Sequence, residues 1–191
     1  RGWNITVKAR WSRKRRSIED QQRPPAAIEQ RAMVEIRKLE LPGDLAGLRA
    51  CVVELQDFEY QLDSRYPDGE SIVDAYIPDV LKRCEQYAGA TLVAVVNGEI
   101  AGYAMIWTRV PPEDIEDGDV ECGRLADLVV REKYRGQGIG RQLINAGETY
   151  ARANGVKFFR LGVMARNTAA RALYESLGYS SCHIEMEKNL E

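Results

Sequence analysis

One histidine, His183, and four widely spaced cysteines, Cys51, Cys84, Cys122 and Cys182, are all the soft metal ligands that 191 residues offer. With no CxxC pair, neither a zinc site nor a dense disulfide framework is indicated, and no metal is expected. A reducing cytoplasm is the simplest setting for such thiols. Long apolar runs are lacking as well. The longest, such as Leu92-Val93-Ala94-Val95-Val96, fall far short of the roughly 20 residues that span a bilayer, so no membrane association is expected. Residues 1–32 hold no apolar stretch of the kind a signal peptide needs, and a Gly-Lys-Ser/Thr phosphate loop occurs nowhere. Net charge is scarce too, at −2 from 27 basic and 29 acidic side chains.

That small net charge is a cancellation. Residues 1–32 carry nine basic and three acidic side chains, net +6, which leaves net −8 for the rest. The basic part includes Arg13-Lys14-Arg15-Arg16 and shows no sustained period, so it reads as an extension outside the core. Met33 opens the first periodic segment, and residues 1–32 are expected to be flexible or to lie upstream of the natural start. Asn4-Ile5-Thr6 matches a glycosylation sequon, with nothing else pointing to secretion. The acidic remainder argues against a nucleic-acid partner. Residues 33–191 suffice for one domain with a real core.

From Val34 the pattern predicts a strand to about Leu39, with Asp44 as a helix N-cap. A helix follows with the stripe Leu45, Leu48, Val52 and Leu55. Ile72 to Tyr87 is helical in pattern, and Pro78 is expected to bend or divide it. Leu92–Val96 and Ile100–Trp107 read as strands joined by Asn97-Gly98, a strong hairpin signal. Val120 to Val130 reads as a strand, and Arg135-Gly136-Gln137-Gly138-Ile139-Gly140 leads into a helix with the stripe Ile139, Leu143, Ala146, Tyr150 and Ala153. Asn154-Gly155 is its expected C-cap. Val156 to Val163 is expected to form a buried strand, Ala170 to Leu177 a helix stopped by Gly178, and Tyr179 to Lys188 the closing strands. The class is α/β.

A glycine-rich turn between strand and helix aims backbone N–H groups and the positive helix end at a phosphate. An ordinary strand-to-helix loop is the alternative for these six residues alone. A dinucleotide fingerprint fails, because G-x-G-x-x-G meets Leu143 or Arg141 where glycine is required.

The stretch Leu128 to Leu143 resembles the acetyl-CoA signature of the GNAT acetyltransferase superfamily, R/Q-x-x-G-x-G/A, through Arg135, Gly138 and Gly140. Asn167 to Tyr179 is similar to the second motif of that superfamily, N-x-x-A-x-x-x-Y-x-x-x-G-F/Y. The resemblance runs from Met33 to about Leu190. It implies a mixed, mostly antiparallel central sheet flanked by helices, with acetyl-CoA as cosubstrate. It further implies that the amides of Arg135, Gly136, Gln137, Gly138, Ile139, Gly140 and Arg141 wrap the pyrophosphate. The strand Leu128-Val129-Val130 would serve the pantetheine and thioester through the backbone of Leu128 and Val130. Asn167 would contact the pantetheine, and Tyr174 would protonate the departing thiolate.

An acceptor ammonium must also lose a proton. Where ribosomal-protein-type relatives often carry a Glu, this chain has Gly162, and the Glu-Asp-Leu of polyamine-type relatives is here Ala126-Asp127-Leu128. Asp127 is the first candidate base, Glu121 the second, with a water chain and His183 behind them. Asp57, Glu59, Asp63, Asp68, Glu70 and the acidic run Glu113 to Glu121 would favour a cationic acceptor, unless they form a merely solvated acidic surface. The resemblance therefore implies acetyl transfer to a primary amine of a small cationic molecule. A protein or peptide amino-terminal acetyltransferase and a non-catalytic acyl-CoA-binding regulator are the rivals, and a homodimer is compatible with either.

Overall fold

The computed structural model describes residues 33–112 and 121–190. The basic extension 1–32 and the acidic side chains Glu113, Asp114, Glu116, Asp117 and Asp119 lie outside the described residues. The elements run β1 (Val34–Lys38), α1 (Leu45–Leu62), α2 (Gly69–Gln86), β2 (Ala90–Val96), β3 (Glu99–Val110), β4 (Cys122–Val130), a short 3-10 turn (Glu132–Tyr134), α3 (Ile139–Ala153), β5 (Phe159–Leu161) and α4 (Thr168–Ser176).

The strands form one sheet in the order β1-β2-β3-β4-β5, antiparallel throughout except for the parallel β4–β5 pair. Asn97 and Gly98 turn the β2–β3 hairpin with φ of 51° and 80°, the positive pair that a two-residue turn matched to strand twist requires. Two apolar layers sandwich the sheet. On one face α1 and α2 bring Leu48, Cys51, Val52, Val73, Ile77 and Val80 against Val93, Tyr103, Met105 and Val129. On the other, Ile139, Leu143 and Ile144 of α3 and Tyr174 of α4 cover Ala94, Ala104, Ile106 and Leu125. The alternation of side chains along each strand feeds both layers.

Several expectations are corrected by this arrangement. Helix α2 runs through Pro78 undivided, because Pro78 is on the exposed side, where the carbonyl it leaves without a donor can be hydrated. Asp44 stands at the N-cap position of α1 without capping it. Its carboxylate instead pairs with Arg37 at 2.6 and 2.9 Å and accepts from the Glu40 N–H at 2.8 Å. Leu45 is largely exposed, and Cys51 and Gln56 take the inner face of α1 with Leu48 and Val52. In α3 the fully buried stripe is Ile139, Leu143, Ile144, Gly147 and Ala151, with Ala146 and Tyr150 half-buried along its edge and Ala153 exposed. β5 is only three residues long and half-buried, and Phe158 is exposed. Tyr179 to Leu190 form no strand, so the expected closing strands are missing among the described residues.

Candidate active site

The site begins with an irregularity in β4. Leu125 stands opposite Ile106 and Asp127 opposite Met105, so β4 carries one more residue than β3 across that step, a β-bulge at Ala126. Its effect is on phase. The Arg131 N–H donates to Ala101 at 2.9 Å, and in an antiparallel ladder alternate residues point toward the partner and away from it. Val129 and Asp127 therefore turn their backbone toward β3, while Leu128 and Val130 turn theirs outward. β5 pairs with β4 only from Gly123 to Leu125, so beyond the bulge the outer edge of β4 borders a gap.

Of the three strand residues expected to serve a cosubstrate, Leu128 and Val130 thus face the gap. Val129 faces β3, and its side chain lies in the α1/α2 core. The Val130 carbonyl accepts from Arg135 Nε at 2.9 Å, and the Arg135 guanidinium lies 5.7 Å from the Phe58 ring centroid. α1 braces the same corner. Glu54 accepts from Arg131 Nε at 2.8 Å and from the Glu132 N–H at 2.9 Å, contacts that, with nearby Arg135, outweigh the effect of burial and hold its carboxyl below the ordinary glutamate value.

The turn from Arg135 to Gly138 needs its glycines. Gly136 and Gly138 have φ of 76° and 80°, where a Cβ meets the following carbonyl. Gly138 is the N-cap of α3 and offers no side chain, so the first amides of that helix keep their orphan donors. Gly140 lies in the first turn, where an added Cβ would sit 3.4 Å from Leu173 Cδ2 and 3.7 Å from Val130 Cγ2. Arg141 donates to Ser176 Oγ at 2.8 Å, tying α3 to α4.

Asn167 is the N-cap of α4, its Oδ1 accepting from the Ala170 N–H at 3.1 Å. Tyr174 is buried, with its ring 5.9 Å edge-on from Tyr179, and burial raises its hydroxyl pKa. It borders a cavity of about 740 Å³ between β5, α4 and the chain after Tyr179. Exposed His183 lines the same cavity.

Asp127 lies on the opposite face of the sheet from Tyr174, immediately beyond the bulge. The Tyr76 hydroxyl approaches both its oxygens at 3.0 Å, and the Tyr103 hydroxyl donates to Oδ2 at 2.9 Å. Burial pushes the Asp127 carboxyl pKa up, and the two hydroxyls offset part of that rise. Glu59 on α1 is likewise raised, by burial first and by the charge of Asp127 second. Glu121 joins neither group. It precedes β4 at the far end, on the order of 20 Å along the strand from Asp127 and next to Cys122, which lines the Tyr174 cavity. Tyr76 and Tyr103 carried no motif in the sequence, and Glu59 was one acid among many.

A strand edge without β5 beside it, a glycine turn with two left-handed residues and an uncapped helix start present together the kind of backbone donors that suit an extended anionic ligand. The model of the acetyltransferase (GNAT) family matches residues 52–179. The chain belongs to that family. It is 32% identical over 92 residues to an uncharacterized N-acetyltransferase, YycN, of Bacillus subtilis, which covers 48% of this chain and 55% of that protein. It is 35% identical over 89 residues to a mycothiol acetyltransferase of Thermobispora bispora, covering 47% of this chain and 29% of that one. The chain thus matches about half the length, or less, of these curated relatives. Among solved structures, a tetramutant of the BH1408 protein from Bacillus halodurans superposes with a TM-score of 0.69 at 25% identity, over 82% of this chain and 99% of that one. The mixed sheet and its flanking helices are the fold of this family.

Proposed function

We propose that the protein transfers the acetyl group of acetyl-CoA to a primary amine of a small, cationic molecule. The observation that carries this reading is the outward-facing backbone of Leu128 and Val130 beside a gap that leads to the Arg135–Arg141 turn. These groups fit an extended pantetheine and its pyrophosphate: strand-edge donors for the one, helix-start amides for the other. Acetyl-CoA would supply an activated thioester, the acetyl donor.

The roles of the chain's own residues follow from chemistry. A fixed N–H on β4 stabilises negative charge on an acyl oxygen more as that charge develops than before, which is what lowers a barrier. Tyr174 keeps its proton at neutral pH, as a donor to a departing thiolate must. Asp127, partly accessible and partly desolvated, would take the proton of the acceptor ammonium. The mycothiol acetyltransferase similarity supports a small-molecule acceptor over a protein terminus, and Glu59 and Asp127 favour a cation. A panel of small amines, amino-terminal peptides and acetyl-CoA, followed by thiol release, tests this. Turnover of a small cationic amine is the expected result. CoA binding without turnover of any amine would favour the acyl-CoA-binding regulator instead.

A further inference from the structure

Most of the layer between α1, α2 and the sheet is apolar, built from residues such as Leu48, Val52, Val73, Val93 and Met105. Among the polar groups that break that pattern, two tyrosine hydroxyls go to one carboxylate. Tyr103 on β3 is fully buried and reaches Asp127 Oδ2, while Tyr76 on α2 reaches both oxygens. Phenylalanine would fill either place if packing were the whole requirement, since it differs only by the hydroxyl. The carboxylate they share is the one immediately before Leu128, where β4 has parted from β5.

We propose that Tyr76 and Tyr103 are positioning residues for Asp127: approaching from two elements, they fix the direction of its carboxylate and favour its ionised form at the acceptor end of the gap. This rests on the reading of Asp127 as the base. In that step an acceptor ammonium N–H bond breaks and an Asp127 O–H bond forms. The electron pair stays on nitrogen and becomes the nucleophile. Without these hydroxyls the burial that raises the Asp127 carboxyl would act unopposed and favour its protonated form, which cannot take a proton from the acceptor.

The titratable groups around Asp127 are Tyr103 from β3, Tyr76 from α2, and Glu59 from α1. Cys51 of α1 acts on Tyr103, and Arg83 of α2 and Glu59 act on Tyr76. Glu59 opposes ionisation of Asp127, and the two hydroxyls favour it.

The test is the pH dependence of kcat, with the amine that the panel turns over fastest, in the parent, Tyr76→Phe, Tyr103→Phe and Asp127→Asn. Loss of one hydrogen bond to a charged acceptor should move the acidic limb upward by roughly one to two pH units in each tyrosine variant. CoA affinity should stay at the parental value, and kcat should recover at high pH. Asp127→Asn should abolish the limb. An unmoved limb, or a loss of kcat by the same factor at every pH, overturns the positioning role. If Asp127→Asn keeps the parental kcat and limb, the base assignment itself has failed, whatever the tyrosine variants do. Tyr76 is only half-buried, so its variant carries the test should Tyr103→Phe not fold.

Discussion

Gly136 and Gly155 form a matched pair at the two ends of α3. Their φ angles are 76° and 81°, and an added Cβ at either meets nothing within 4 Å. Alanine at either position should therefore suffer only the left-handed backbone penalty, about 1 to 2 kcal/mol. The lower entropy of the unfolded alanine chain offsets about 0.4 to 1 kcal/mol of this penalty, so a net loss near 1 kcal/mol is expected at both. Urea unfolding should give the same stability loss for Gly136→Ala and Gly155→Ala. Affinity for CoA should separate them. At Gly136 a methyl stands beside the amides assigned to the pyrophosphate, and displacing the anion from one charge-assisted hydrogen bond, worth about 1.5 to 3 kcal/mol, weakens binding about 10- to 100-fold. Gly155, at the other end of the helix, should leave affinity unchanged. Calorimetric titration with CoA decides the matter. Equal affinities in two folded variants would refute the phosphate-binding role of the turn.

Tyr174→Phe should bind CoA as the parent does and lose kcat by about 100-fold, the usual scale of a lost general acid. Stopped-time thiol release beside calorimetry separates the two effects, and a parental kcat would remove Tyr174 from the proton path. Gly102 faces β4 so closely that an added Cβ would lie 2.4 Å from the Val129 carbonyl oxygen. Gly102→Ala must push two strand backbones apart and should cost about 1 to 3 kcal/mol in urea unfolding, the range of overpacked sites. A loss below about 0.5 kcal/mol would mean that the strands are not held there.

Local chemistry was legible in the chain wherever it was strong. Asn97-Gly98 specifies its turn through two positive φ angles, and the glycines at 136 and 138 do the same for the ligand turn. Periodicity was weaker because helix α3 has apolar or small residues on adjoining faces: Ala146 and Tyr150 fit a stripe as well as Ile144, Gly147 and Ala151, and only the neighbouring strands decide. Adjacent Phe158 and Phe159 suggested burial, yet β5 is the last strand and leaves Phe158 exposed. The bulge at Ala126 was invisible, since no residue type is required there. The tyrosine clamp was invisible for a different cause. It joins positions 51 and 24 residues apart from Asp127, and hydroxyls on a helix stripe and a strand do not announce a shared partner.

A single surplus residue in β4 acts as a frame shift within the sheet. Before Ala126 the outward backbone groups of the strand pair with β5, and after it those of Leu128 and Val130 face outward without β5 beside them, with no break in its course. Removing Ala126 would take out the step between Met105 and Ile106 in the ladder with β3 while changing which residues stand on each side of the seam with β5. The boundary between scaffold and binding edge is therefore set by residue count as much as by residue identity. Substitutions at Ala126 should be tolerated far better than its deletion.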